Sequence, residues 1–254
     1  MEPEKLYVNW PYWLVEGMFW QNGLFNDTIF IDYLSEVLPK RDINRKVLVG
    51  STNTRTGTFV RFNESIGTQD MIYKAARASA SIPGVFEQVQ YKGMNLVDGG
   101  VLIMADIGGA IDRCMSEGFT QEEIVLDVIL CSGSILSDVD TKNYNSLHMF
   151  WRYHQISKFQ KSMNWITQAL ANYPKVNFRY LVFPQESISD SWMPIDFSKK
   201  HIARLIDIGI KEAKDVVNQG EGAMFEHMKN YWNQATADPF YDETFDEYLQ
   251  KSMK

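Results

Sequence analysis

Cysteine is nearly absent from this chain. The two present, Cys114 and Cys131, form no Cys-x-x-Cys pattern. That argues against a disulfide framework and reads as a reduced, cytosolic protein whose thiols serve as small core hydrophobes. Basic charge is also in deficit. Lys and Arg number 25 against 32 Asp and Glu, a net charge of -7. Such a chain has no general electrostatic pull on nucleic acid. It gains little from anionic lipid overall, so any membrane contact must be local or hydrophobic. Long apolar runs are missing too. Nothing approaches the ~20 residues that span a bilayer. The run from Ile124 to Leu130 is broken by Asp127 and is strand-sized. The start, Met1-Glu2-Pro3-Glu4, is acidic and lacks the shape of a signal peptide. There is no internal repeat, no low-complexity tract and no linker rich in Gly, Ser or Pro.

What remains is a globular composition: 45% hydrophobic and 22% charged residues in a chain of 254. We expect one domain over residues 1–237 and an acidic, aromatic tail over 238–254. Helices are predicted over 11–22, 29–37, 68–79, 107–116, 143–172 and 198–218. Their signals are caps, closing Gly or Pro, and apolar residues at helical spacing such as Ile202, Leu205, Ile206 and Ile210. Strands are predicted over 46–53 and 58–63, joined at Thr56-Gly57, and over 89–91 and 95–97, joined at Lys92-Gly93. Two more are predicted over 124–131, read as fully buried, and 176–183. Strands alternating with helices argue for an α/β layered fold with a largely parallel sheet.

The stretch that carries chemistry is Ala78-Ser79-Ala80-Ser81-Ile82-Pro83-Gly84-Val85-Phe86, followed by Leu96-Val97-Asp98-Gly99-Gly100. A small-residue helix end runs into a proline-bearing loop, then a short hairpin, then an aspartate followed by two glycines. Asp98-Gly99-Gly100 alone would read as a surface turn. Joined to the preceding loop it is far more specific. Two glycines after an aspartate permit a tight turn at a strand end.

In these motifs the chain resembles the patatin-like phospholipase family. Gly23-Leu24-Phe25 ahead of a helix, and the strand from Val47 to Ser51 followed by Thr56-Gly57, fit the same pattern. The resemblance runs from about Trp10 to about Val217. It implies a three-layer α/β fold with a largely parallel central sheet. It also implies a serine-type lipid acyl hydrolase, a carboxylic ester hydrolase that uses a Ser–Asp dyad. Asp98 is then the general base and proton acceptor near a strand end, within the motif completed by Gly99 and Gly100. The substrate is a lipid acyl ester, with no metal or cofactor. The location is cytoplasmic, with peripheral contact to membranes or lipid droplets. A carboxylate can serve as base if its surroundings keep it ionised yet basic enough to accept a proton.

Two family elements are absent from these residues. No Gly-x-Ser-x-Gly elbow occurs, although that strained turn presents the nucleophile. The glycine-rich loop whose N–H groups stabilise the tetrahedral oxyanion is also absent. The resemblance therefore implies a sheet incomplete at its N-terminal strands, with exposed edges and a tendency to self-associate. The chain is either the aspartate-bearing part of a hydrolase or an inactive truncated relative that binds lipid or protein. Met104 stands where the family usually has an asparagine that fixes the turn.

Other features read as structural. The stretch from Gly50 to Thr58 lacks the lysine and spacing of a phosphate loop and reads as strand–turn–strand. His148, His154, His201 and His227 show no metal-ligand pattern. Cys131-Ser132-Gly133-Ser134 resembles a nucleophile turn but has no nameable base. The Asn-x-Ser/Thr patterns at Asn26 and Asn63 are common by chance. The aromatics Tyr7, Trp10, Tyr12, Trp13, Phe19 and Trp20 could rim a lipid site, but helical spacing favours core packing.

Overall fold

A computed structural model of the protein describes residues 7–38, 43–65, 69–131, 136, 138–185 and 196–235. They fall into two compact units, one within Met1–Asp106 with Ile195–His201 and one within Ile107–Pro194 with Ile202–Lys254. The acidic tail expected over 238–254 lies outside the described residues, as do Thr68, Ser132 and Ser134.

The first unit begins with two helices, α1 (Trp13–Phe19) and α2 (Thr28–Val37). It continues as strands β1 (Leu48–Asn53) and β2 (Thr58–Asn63), helix α3 (Gln69–Ala80), and strands β3 (Val89–Tyr91) and β4 (Met94–Asp98). The strands form one sheet in the order β2-β1-β4-β3, with every pair antiparallel. A largely parallel sheet is therefore not what these strands build. The reason is local. Gly57 N–H donates to Asn53 O at 2.8 Å and closes the first hairpin. At the second, Lys92 and Gly93 both have positive φ, as a two-residue hairpin turn requires. Connections this short permit only antiparallel pairing. The Gly50–Thr58 stretch is accordingly strand–turn–strand.

Helix α3 lies on one face of this sheet. Ala75 and Ala78 pack with Phe62, Val89 and Leu96, and Val49 and Val60 add to the same core. Small residues on α3 let its backbone approach the strands. Arg77 on α3 reaches Asp27, which is only 3% exposed, through two hydrogen bonds of 3.1 and 3.2 Å. This buried pair ties α3 to the start of α2. The Asn-x-Ser/Thr patterns are side-chain turns. Asn26 Oδ1 accepts Thr28 N–H, and Asn63 Oδ1 accepts Ser65 N–H.

The aromatic-rich start divides. Tyr7 packs against Phe25, Phe86 and Phe197, and Trp10 donates to Gly23 O at 3.0 Å. Tyr12, Phe19 and Trp20 are instead exposed, Trp20 by 71%. Tyr7 and Trp10 are thus partly buried, core packing fails for the other three, and the Trp13 side chain lies outside what the structure describes. Helix α1 is only seven residues long, and Val15, Met18 and Phe19 on it are exposed.

The second unit holds α4 (Ile107–Ser116), β5 (Val125–Ile129), α5 (Ser146–Asn172), β6 (Asn177–Val182), α6 (Lys199–Gln219, from Ile202 on) and α7 (Ala223–Ala235). Its two strands pair in parallel. Phe178 on β6 packs on Phe225 of α7 with ring centroids 5.5 Å apart. Strand β5 is not fully buried as its composition suggests, since Ile129 is 77% exposed. An apolar strand signals two covered faces, but β5 has one strand neighbour among the described residues and leaves Val125 and Ile129 exposed on one face.

Candidate functional site

Three segments converge around Asp98. The first is the loop after α3. Leu24 N–H donates to Gly84 O, and Phe25 N–H donates to Val85 O, both at 3.0 Å. The Ile82-Pro83-Gly84 loop is thereby pinned to Gly23-Leu24-Phe25. A Cβ on Gly23 would lie 2.5 Å from Phe86 C, so glycine is needed for this approach. The two family-like fragments, far apart in sequence, meet here as one bridge.

The second segment is β4, which ends at Asp98. The Asp98 N–H donates to Ser81 O at 2.9 Å, which fixes the strand end against the loop after α3. The Asp98 side chain then caps a short 3₁₀ turn, Gly99–Val101, and accepts Gly100 N–H at 2.7 Å. Its other carboxylate oxygen has no hydrogen-bond partner among the described residues. Partial burial pushes the Asp98 carboxyl above its ordinary range, and the Gly100 N–H bond pulls the other way without cancelling it.

The third segment is β1, whose last three residues, Ser51, Thr52 and Asn53, are polar yet buried. Ser51 is the register partner of Asp98. Thr54 N–H donates to Asn95 O, so hydrogen-bonded pairs alternate from there, and Ser51 with Asp98 is a non-hydrogen-bonded pair. Such pairs bring side chains to about 4.5–5.5 Å between Cβ atoms. Both side chains lie on the face that α3 covers, since Val49 and Leu96, two residues before each, are in the α3 core. Ser51 is 0% exposed, and its hydroxyl has no hydrogen-bond partner. Sequence reading did not single it out. The β1–β4 pairing joins residues some 45 apart, and no local signal announces it.

The glycines after Asp98 have a different reason from the one expected. Neither takes a positive φ. A Cβ on Gly99 would instead lie 2.7 Å from Gly50 O, so the demand is for space between two backbones. A Cβ on Gly100 would lie 3.1 Å from Asp98 Oδ1 and 3.3 Å from Met104 Sδ. Met104 therefore packs against the turn, where an asparagine would offer hydrogen bonds.

Residues 4–111 match the family model described as patatin-like phospholipase. This stretch is similar to a patatin-like phospholipase domain. It contains α1 to β4, the Ile82-Pro83-Gly84 loop and the whole Asp98-Gly99-Gly100 turn, and it ends inside α4. The match is shorter than the expected span of about Trp10 to Val217. Within the patatin-like stretch the antiparallel sheet and α3 hold the motif.

The remaining candidates stand apart. His148 and His154 are exposed on α5 among aromatic rings, and His201 lies 4.0 Å from Asp196. Among the described residues no group of His, Cys, Asp or Glu is arranged to hold a metal. Cys131 is exposed.

Proposed function

We propose that the patatin-like stretch supplies the aspartate half of a Ser–Asp dyad in a lipid acyl hydrolase. The observation that carries this reading is Asp98 itself: a half-buried carboxylate at a strand end, held by Gly100 N–H through one oxygen, with no partner for the other among the described residues. Its raised proton affinity suits a group that must take a proton from an attacking hydroxyl. In the reaction the serine oxygen attacks the acyl carbonyl carbon while its proton passes to Asp98. Collapse of the tetrahedral intermediate then expels the alcohol of the lipid, which takes the proton back from Asp98, and leaves an acyl-serine. Water, giving its proton to Asp98, attacks that ester and releases the fatty acid as the serine regains the proton. No Gly-x-Ser-x-Gly occurs in the 254 residues, so the nucleophile and the oxyanion donors belong, in this reading, to a preceding segment. The substrate class is a fatty-acyl ester.

A second reading has support from the same residues. With no elbow serine and with Met104 packed on the turn, the chain would be a non-catalytic relative that binds lipid or protein. Extending the reading frame upstream, and assaying the extended protein on short- and long-chain acyl esters, separates the two. The hydrolase reading expects turnover that falls roughly 10⁴-fold in Asp98→Asn with the fold kept. It also expects no fluorophosphonate labelling of the 254-residue chain alone. An extended protein with an elbow serine but no turnover supports the second reading. Turnover that survives Asp98→Asn would make the dyad assignment wrong.

A further inference from the structure

Helix α5 is two different helices joined end to end. From Phe159 onward it is part of the core, with Phe159, Met163 and Ile166 buried. Before that point it has little cover. From Leu147 to Ile156 every residue is exposed except Arg152, which is half-buried. The exposed set includes Leu147, Met149, Phe150, Trp151, Tyr153 and Ile156, with Leu147 and Tyr153 above 60%. His148, Arg152 and Gln155 recur at helical spacing and form one narrow polar stripe, in which Arg152 Nη1 donates to Gln155 Oε1 at 3.4 Å. Large apolar side chains occupy most of the rest of the circumference. An apolar surface of this size marks an interaction site.

Charge identifies the partner. The 27 residues of α5 contain no Asp or Glu, although the chain has 32. They contain Arg152, Lys158 and Lys161. A second copy of α5 would bring the same positive charges and no acid to pair with them, which disfavours docking of two α5 helices. An anionic lipid surface answers both features. Basic side chains near the exposed half attract anionic headgroups, and Trp, Tyr and Phe sit well at the headgroup boundary. No helix among the described residues is long and apolar enough to cross a membrane, so α5 would lie at the interface. We propose that the N-terminal half of α5 docks on an anionic bilayer surface. Phe150 and Tyr153 enter the acyl boundary, and Arg152 and Lys158 meet lipid phosphates. The inference does not depend on the hydrolase reading.

The test is co-sedimentation of the full 254-residue chain with phosphatidylcholine vesicles, and with phosphatidylcholine vesicles containing phosphatidylserine. The net charge of -7 predicts weaker binding to the second, whereas α5 predicts stronger binding. We expect at least about tenfold preference for the anionic vesicles, lost with added salt. Arg152→Gln with Lys158→Gln removes that preference. Phe150→Gln with Tyr153→Gln weakens binding about tenfold or more. Phe150, Tyr153 and Lys158 are exposed and Arg152 is half-buried, and circular dichroism verifies that the variants stay folded. Trp151 emission, isolated by comparison with Trp151→Phe, is quenched by brominated lipid. No preference for anionic vesicles overturns the proposal. So does binding that survives the α5 substitutions but is lost in Phe19→Gln with Trp20→Gln on α1. Lipid-free self-association abolished by the α5 substitutions would assign the face to a second copy and also overturn it. Sedimentation needs no turnover, so these outcomes are separate from those for hydrolysis.

Discussion

Asp98 and Ser51 stand opposite one another across β1 and β4, on the face covered by α3, and no hydrogen bond joins them. One carboxylate oxygen is held by Gly100 N–H, while the buried serine hydroxyl has no acceptor. A buried hydroxyl without a partner costs free energy relative to the same group in water. The two inner strands of the sheet thus place an unsatisfied donor beside a carboxylate whose second oxygen has no partner among the described residues.

Removing that hydroxyl should be nearly free. Ser51→Ala deletes an unsatisfied group with little change of volume, so stability changes by less than ~0.5 kcal/mol or rises by up to ~1 kcal/mol. Ser81→Ala is the contrast, because Ser81 Oγ donates to Arg77 O at 2.9 Å. It should cost about 1 kcal/mol. Urea unfolding of the two variants measures both. A loss above ~1 kcal/mol for Ser51→Ala would mean that the hydroxyl finds a partner in solution.

Asp98 should make stability depend on pH in a defined direction. Burial raises its folded proton affinity above the unfolded value. The stability lent by its protonated form is therefore complete below the ordinary carboxylate range, near ~4, and is lost as pH rises through the raised folded value. Above that value the fold carries an ionised, partly desolvated carboxylate. Asp98→Asn keeps an oxygen for Gly100 N–H and removes that charge. It should melt higher than the parent at neutral pH, with the difference shrinking as the medium is acidified toward the ordinary range. An advantage independent of pH, or a lower melting point at neutral pH, would contradict the burial argument.

Local signals in the sequence carried most of the elements. Helix α4 matches its expected bounds, and both hairpins follow from the turn residues Thr56-Gly57 and Lys92-Gly93. The proline of the Ile82-Pro83-Gly84 loop marked where α3 must end, and α3 stops at Ala80. Pairings distant in sequence were not legible. The contact of β1 with β4 depends on how α3 folds over, so Ser51 could not be linked to Asp98 beforehand. The burial of β5 was misread for a related reason. Composition reports what a strand can cover, and only the finished assembly decides which faces are covered. Asp98-Gly99-Gly100 was legible as a motif, but not the closeness of Gly50 that explains Gly99.

That closeness separates the two glycines experimentally. In Gly99→Ala the new Cβ meets Gly50 O at 2.7 Å and Gly50 C at 2.8 Å, both backbone atoms that cannot rotate away. The cost should be about 1–3 kcal/mol, and Asp98 should shift with its strand end. In Gly100→Ala the nearest atoms are Asp98 Oδ1 at 3.1 Å and Met104 Sδ at 3.3 Å, both on side chains that can yield. That substitution should cost less than the first. Equal costs in thermal or urea unfolding would show that crowding by Gly50 is not what selects glycine at position 99.

The Arg77–Asp27 pair offers the sharpest test of what holds the motif in place. Asp27 is almost fully buried, the Arg77 side chain is 16% exposed, and two hydrogen bonds join them. Arg77 also sits on the last turn of α3, four residues before Ser81, whose carbonyl receives Asp98 N–H. Replacing Arg77 by Leu leaves a buried carboxylate without its partner, a change that typically costs about 3–5 kcal/mol. Asp27→Asn in the same protein leaves the guanidinium, which is less enclosed and can reach water, so its cost should be smaller. In the double variant Arg77→Leu with Asp27→Asn no buried charge is stranded. Its loss should therefore fall below the sum of the single losses by at least ~1 kcal/mol, the coupling energy of a contacting pair. Amide exchange at Asp98 gives a second readout, because loosening the end of α3 should speed exchange of the N–H held by Ser81. Additive losses with Asp98 exchange unchanged would show that the pair is incidental and that the loop after α3 is held by its bridge to Gly23 alone.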